Sequence, residues 1–202
     1  MTALVAIDMQ QIFRESEWAT PGYDAPAERI ERLVEAASGP VLRTCFVRDP
    51  AKHGSWRGYY DRWSGCREEP DSAVWELTRT PGDDDAVITL PTFSKGGDAL
   101  AAATDGHDPL VAGVVSGCCV LSTVLGAVDA GGRVTVVTDA CAGATDVAHA
   151  QALALMEMLG PMVQLAETSE LLRADASAVW LCVSCSGIRG SDRRGSGRAS
   201  GS

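Results

Sequence analysis

Apolar runs bounded by turn residues alternate along this chain with segments of helical period, and that alternation restricts the fold more than any other feature. Strand-like runs are expected at Leu4 to Asp8, Pro40 to Val47, Ala86 to Leu90, Leu110 to Val115, Arg133 to Thr138 and Met162 to Leu165. Helices are expected at Pro26 to Ala37, Asp98 to Thr104, Cys119 to Ala130 and Val147 to Leu159. In the first helix Ile30, Leu33, Val34 and Ala37 recur at helical spacing between charged residues, which gives one buried stripe. The order implies a three-layer α/β/α domain: a mostly parallel central sheet of Rossmann-like topology, with right-handed crossovers and helices on both faces. Strands covered on both sides are apolar throughout, and VTVV at Val134 to Val137 fits.

Two stretches break the pattern. Asp49 to Gly82 is rich in Trp, Tyr, Pro and Gly and reads as an irregular excursion of the kind that serves as a lid or binding loop. After Arg173 a short apolar piece, Ala178 to Val183, precedes a Gly, Ser and Arg-rich end that cannot bury enough surface to order itself. The domain is therefore expected over residues 1–174, with 175–202 a largely disordered tail.

The net charge of −10 argues against nucleic acid as a partner, because phosphate binding needs clustered Lys and Arg. No apolar run is long enough to cross a bilayer. Met1-Thr2 leads directly into the first strand with no secretory pattern, so a cytoplasmic location is expected. Seven cysteines, an odd number at irregular spacing, suggest reduced thiols. Cys182 and Cys185 form a lone CxxC with no second pair to complete a metal site, and are expected to be incidental.

Ligands of an open parallel sheet bind beyond the carboxyl ends of its strands. Asp8 ends the first strand, Lys95 follows the third by a few residues, and Cys119 lies between the fourth strand and its helix. A thiol at a helix N-terminus is expected to have a lowered pKa, a nearby lysine would lower it further, and an aspartate could move its proton. Singly each has a plainer reading: a small buried hydrophobe for Cys119, a turn former for Asp8, a solvated charge for Lys95. Their coincidence at one edge is what points to a nucleophilic site.

The segments VAIDMQQIF, TFSKGG and AGVVSGCCVLSTVLGAVDAGGRVTVVTDACAG resemble the three signature regions of the isochorismatase-like cysteine hydrolases, over roughly Met1 to Leu172. That group includes nicotinamidases, N-carbamoylsarcosine amidohydrolases and streptothricin hydrolases. The resemblance implies an Asp-Lys-Cys triad at Asp8, Lys95 and Cys119, with Cys118 left to packing. It further implies a cis peptide between Val114 and Val115 and an oxyanion hole formed by the N–H groups of Val115 and Cys119.

The match is imperfect. Ser116-Gly117 stands where many relatives have Thr-Asp, which leaves room for an inactive binding or assembly protein. Nicotinamidases carry a metal on one aspartate and three histidines, but VRDPAKHGSW keeps Asp49, has Ala51 at the pair position and offers only His53. Two donors do not hold such a metal, so no metal and no other cofactor is expected. The excursion instead supplies Trp56, Tyr59, Tyr60 and Trp63. Such a cluster is more often packing, but near the carboxyl edge Trp56 and Tyr60 are candidate substrate-binding residues, with Phe13 and Trp18 as the opposite wall. SEWATPGY, this aromatic segment and the double cysteine look most like the streptothricin hydrolase branch. His149 is expected to face outward or cap a neighbour.

The resulting expectation is a metal-independent hydrolase that opens a linear or cyclic amide of a small molecule through a Cys119 thioester. Nicotinamidase-type or N-carbamoyl amidohydrolase activity is the alternative within the fold. A vicinal Cys118–Cys119 redox pair is disfavoured because adjacent cysteines close a strained ring. Relatives commonly assemble, so a homo-oligomer is an expectation that no sequence feature locates.

Overall fold

The computed structural model describes residues 2–173; the expected tail, with Cys182 and Cys185, lies outside them. Six strands, β1 (Thr2–Ile7), β2 (Val41–Phe46), β3 (Ala86–Leu90), β4 (Asp108–Val114), β5 (Val134–Ala142) and β6 (Val163–Ala166), form one parallel sheet in the order β3-β2-β1-β4-β5-β6. Among the described residues seven α-helices flank them: α1 (Ile12–Glu15), α2 (Asp24–Ala36), α3 (Ser55–Arg62), α4 (Asp98–Ala103), α5 (Leu121–Asp129), α6 (Asp146–Glu157) and α7 (Thr168–Arg173).

The period-2 geometry of β1 sorts its side chains between two cores. Leu4 and Ala6 join Ile30 and Leu33 of α2 and Leu171 of α7 on one face. Ala3, Val5 and Ile7 join Leu100 of α4, Val124 of α5 and Met156 of α6 on the other. Both faces are thus covered, and β1 and β4 are apolar and buried beyond their first residues for that reason.

The chain winds outward from β1 to β3 and then returns to lay β4 on the other side of β1. Helices leave β1 and β4 in opposite directions there, which opens a crevice beyond their carboxyl ends. The two strands approach closely at that point. A Cβ on Gly113, which has φ 127°, would lie 2.2 Å from the Ile7 carbonyl oxygen, so only glycine fits.

The expected elements are present with ends shifted by a residue or two, and four features differ in kind. The aromatic excursion is not wholly irregular: it holds α3, which Trp, Tyr and Gly58 disguise because they are poor helix formers. β5 runs on to Ala142, past the irregularity in its pairing with β4. Helices α1 and α7, short and without long apolar periodicity, were also not expected. The helix expected from Cys119 begins at Leu121, and Cys119 sits before it in one turn of π-helix, Ser116–Val120.

Candidate active site

Asp8 is where β1 stops. Its φ of 50° lies in the left-handed region, which Asp tolerates better than most residues at a cost of roughly 1 kcal/mol, and the chain turns there out of the sheet. Backbone and side chain are both tied to β2: the Asp8 N–H donates to Thr44 Oγ1 at 3.1 Å, and Thr44 Oγ1 donates to Asp8 Oδ1 at 2.6 Å. The other carboxylate oxygen, Oδ2, accepts from Lys95 Nζ at 2.7 Å, in an ion pair with both side chains fully buried.

Lys95 reaches this position on a loop fastened to α5. Its N–H donates to Thr123 Oγ1 at 2.9 Å, Ser94 Oγ donates to the Ser122 carbonyl at 3.0 Å, and a Cβ on Gly96 would meet Gly126 Cα at 2.7 Å. The ammonium also donates to the carbonyls of Thr92 (2.9 Å) and Phe93 (3.3 Å). All three donors are used, which is how a lysine can be buried at all.

Cys119, 1 % exposed, is held in the π-turn. The Val115 carbonyl accepts from the N–H groups of Cys118 (2.9 Å) and Val120 (3.3 Å) and so closes the turn; the Cys119 N–H between them is in neither bond. The peptide between Val114 and Val115 is cis, as the resemblance implies. All five cysteines among the described residues are free thiols.

The electrostatics correct one expectation. Burial, then the facing Asp8 charge, push the Cys119 thiol well above its ordinary value, and Lys95 only opposes them. The helix N-terminus was expected to lower it, but the sulfur precedes α5 in a water-poor setting where an anion loses its hydration. The resting group is therefore a thiol, kept protonated by burial and by the charge of Asp8. Cys118, half-buried, is raised by burial alone. Cys45 on β2 also feels Asp8 and Lys95, after burial, and is pushed up to about 11.

Of the two expectations for His149, the second holds: its Nδ1 lies 2.8 Å from Ser116 Oγ, and Ser116 is fully buried at the head of the π-turn. Helix α6 therefore braces the turn that carries Cys119. Sequence reasoning missed this contact, and also Thr44 and Gln10. Gln10, fully buried, binds β2 through the Phe46 backbone in both directions, donating to its carbonyl (3.0 Å) and accepting from its N–H (2.8 Å), and donates to the Trp75 carbonyl. Polar residues adjoining an apolar strand were the available signal.

The aromatic residues form one packed cluster rather than two facing walls. Trp18 stacks on Phe13 at 5.9 Å between ring centres and also meets Tyr59 (5.8 Å), Tyr60 (6.3 Å) and Phe46 (5.7 Å). Phe13 and Tyr60 are buried in the core, whereas Trp56 and Tyr59 are half-buried and meet Phe93, beside the Lys95 loop, at 4.9 and 5.8 Å. Burial, and after it the neighbouring Cys118 and Cys119, push the Tyr59 hydroxyl up to about 12. Trp63 lies under Arg62 instead.

Asp49 and His53 line a cavity together, but among the described residues no three His, Cys, Asp or Glu side chains come together as metal donors. Arg48, Lys52, Arg57 and Arg67 share that lining, and four cations do not fit a metal site.

A buried carboxylate–ammonium pair and a buried thiol therefore lie at the switch point of a parallel sheet. The isochorismatase domain model matches residues 2–168, and the chain belongs to that family. No curated protein matches it. Solved structures with the same fold include a cysteine hydrolase from Pseudomonas syringae pv. phaseolicola (22% identity, 85% of this chain and 91% of that one, TM-score 0.71). An N-carbamoylsarcosine amidase from Thermoplasma acidophilum (22%, 84% and 97%, 0.66) and a zinc-bound pyrazinamidase from Pyrococcus horikoshii (24%, 82% and 98%, 0.68) are also similar. Among the described residues no helix is long and apolar enough to cross a membrane.

Proposed function

We propose that this chain is a metal-independent cysteine amidohydrolase that cleaves the carbon–nitrogen bond of a small amide. The observation that carries the reading is the fully buried Asp8–Lys95 pair at 2.7 Å, at the end of the strand that pairs with β4, whose following turn holds the buried Cys119. A buried lysine and aspartate whose polar atoms are this fully assigned, set beside a thiol, are poorly explained by packing alone.

As the Cys119 sulfur attacks the carbonyl carbon, its proton passes to Asp8, which is why a raised thiol pKa is compatible with catalysis: ionisation and attack occur together. The carbonyl oxygen gains the electron pair, and the N–H groups of Val115 and Cys119 are the donors assigned to it, each worth about 3 to 4 kcal/mol in acyl-transfer enzymes. Asp8 returns the proton to the departing nitrogen as the C–N bond breaks and a thioester remains. Water then attacks the thioester, giving its proton to Asp8, and the acid leaves as the thiol is restored. Lys95 touches neither bond; it holds Asp8 in place.

The test is release of ammonia or amine from a panel of linear and cyclic amides. Cys119→Ala is expected to lose about 10⁴-fold or more in kcat, while Cys118→Ala stays within severalfold of the parent. Equal losses in the two variants would contradict the assignment. Full activity in protein treated with a chelator is expected, and loss restored by zinc would overturn the metal-independent reading.

A further inference from the structure

The cavity that holds Asp49 and His53 measures about 550 Å³ and is open to solvent on the outer side of the aromatic cluster, between the loop after β2 and helix α3. Its lining carries Arg48, Lys52, Arg57 and Arg67 against Asp49 and Asp61, a local balance of +2 in a chain whose net charge is −10. Cations gathered in a concave site against the sign of the whole molecule raise the local concentration of anions.

Not all of this charge is spent internally. Arg67 is paired with Asp61 and donates Nε to the Tyr60 carbonyl at 2.9 Å. Arg48 gives one amino group to the Arg67 and Glu68 carbonyls (3.3 and 3.2 Å), and its guanidinium carbon lies 5.6 Å from the centre of the Tyr60 ring. Lys52 and Arg57 have no carboxylate partner among the ion pairs of the described residues, and Arg57 is exposed. Tyr60, 6 % exposed, also lines the cavity, its ring under the Arg48 guanidinium.

Lys52 links the cavity to the reacting groups. Its Nζ lies 4.0 Å from the centre of the Trp56 ring and donates to the Pro91 carbonyl, four residues before Lys95. Trp56 in turn meets Phe93, whose carbonyl accepts from Lys95 Nζ. Burial lowers the pKa of Lys52, the Asp49 charge opposes this, and the charge of Lys95 adds a smaller lowering.

We infer that this cavity is a carboxylate subsite, so that the substrate is an acidic amide: one end presents its amide to Cys119 while an anionic group, separated by a short chain that passes Trp56, rests among Lys52, Arg57 and Arg48. The inference rests on the reading of Cys119 as nucleophile. It assigns the substrate's second functional group and accounts for cations where a pair of would-be metal donors remains.

Monoamides of straight-chain dicarboxylic acids, in increasing length, are compared with their methyl esters as amidase substrates. One acid in the series is expected to show a KM about tenfold below that of its ester, rising with ionic strength where the ester's does not. Arg57→Ala is expected to raise KM for the acid about tenfold, with kcat and the ester unchanged. Acids and esters hydrolysed alike, or an Arg57→Ala effect equal on both, would overturn the inference. Dicarboxylate binding to the Cys119→Ala protein, followed by tryptophan fluorescence, needs no turnover: saturable binding weakened in an added Lys52→Met variant supports the subsite, and no binding sinks it. Amide hydrolysis that survives Cys119→Ala would instead remove the reading beneath it.

Discussion

The two regions that meet at the sheet's carboxyl edge are built in opposite ways. Asp8, Thr44, Lys95 and Cys119 are buried, come from or directly follow four adjacent strands, and have nearly every polar atom assigned to a named partner. The segment from Asp49 to Gly82 is half-exposed, carries its charges on flexible side chains, and packs by ring contacts with little hydrogen bonding between side chains. It is tied down mainly at its far end, where Gln11 N–H donates to the Glu76 carbonyl (3.0 Å) and Thr78 N–H to the Met9 carbonyl (2.9 Å). The difference teaches where each property would reside on the proposed reading: the reacting groups are where backbone geometry fixes them, and recognition falls to a segment packed outside the sheet.

Lys95→Met gives the largest separation between the regions. It leaves the Asp8 carboxylate buried without its counter-charge, so a stability loss of about 3 to 5 kcal/mol is expected in denaturant unfolding, with kcat down at least a hundredfold in the folded fraction. An unchanged unfolding midpoint would mean that the pair is not buried as described. Thr44→Val removes a hydrogen bond to a charged group, worth about 1.5 to 3 kcal/mol, and is expected to lower kcat some 10- to 100-fold with KM little changed. Trp56→Ala is expected to do the reverse, raising KM about tenfold and leaving kcat within severalfold; a kcat defect as large as that of Thr44→Val would erase the distinction.

Alkaline pH probes the same contrast with a smaller effect. Burial raises Cys45 to about 11 and Tyr59 and Tyr60 to about 12. These groups are neutral in the folded state at pH values where the unfolded chain already ionises, about 8.5 for thiols and about 10 for phenols. Their contribution to stability is complete below those values and is lost as pH climbs through the folded ones. Unfolding midpoints are therefore expected to hold to about pH 8.5 and then fall, with hydrogen-exchange protection lost first around β2 and later around α3. A midpoint that rises between pH 9 and 11 would contradict this.

The layered fold could be read from periodicity because each strand and long helix carries its own apolar pattern, as in LVAI of β1 and the stripe on α2. Asp8, Lys95 and Cys119 could be placed at one edge because strand ends are local features and parallel topology brings them together. Other parts depend on contacts between distant segments. Nothing near Lys95 in sequence shows that it is buried; its partners are Asp8, 87 residues away, and the α5 groove opened by Gly126. His149 looked like an ordinary helix residue because its partner, Ser116, lies 33 residues earlier. The direction of the Cys119 shift was misread for the same reason, since burial is set by the whole fold and outweighs the local helix end. Helix α3 was hidden by residues chosen for ring packing over helix propensity.

The central claim is that the Cys119 sulfur carries the acyl group. Rapid acid quenching during turnover of a hydrolysed amide, followed by peptide mass mapping, tests it directly. The account predicts an acyl adduct on Cys119, none on Cys118 or Cys45, and none in Cys119→Ala. An adduct on either other thiol, or steady hydrolysis by the Cys119→Ala protein, would contradict it.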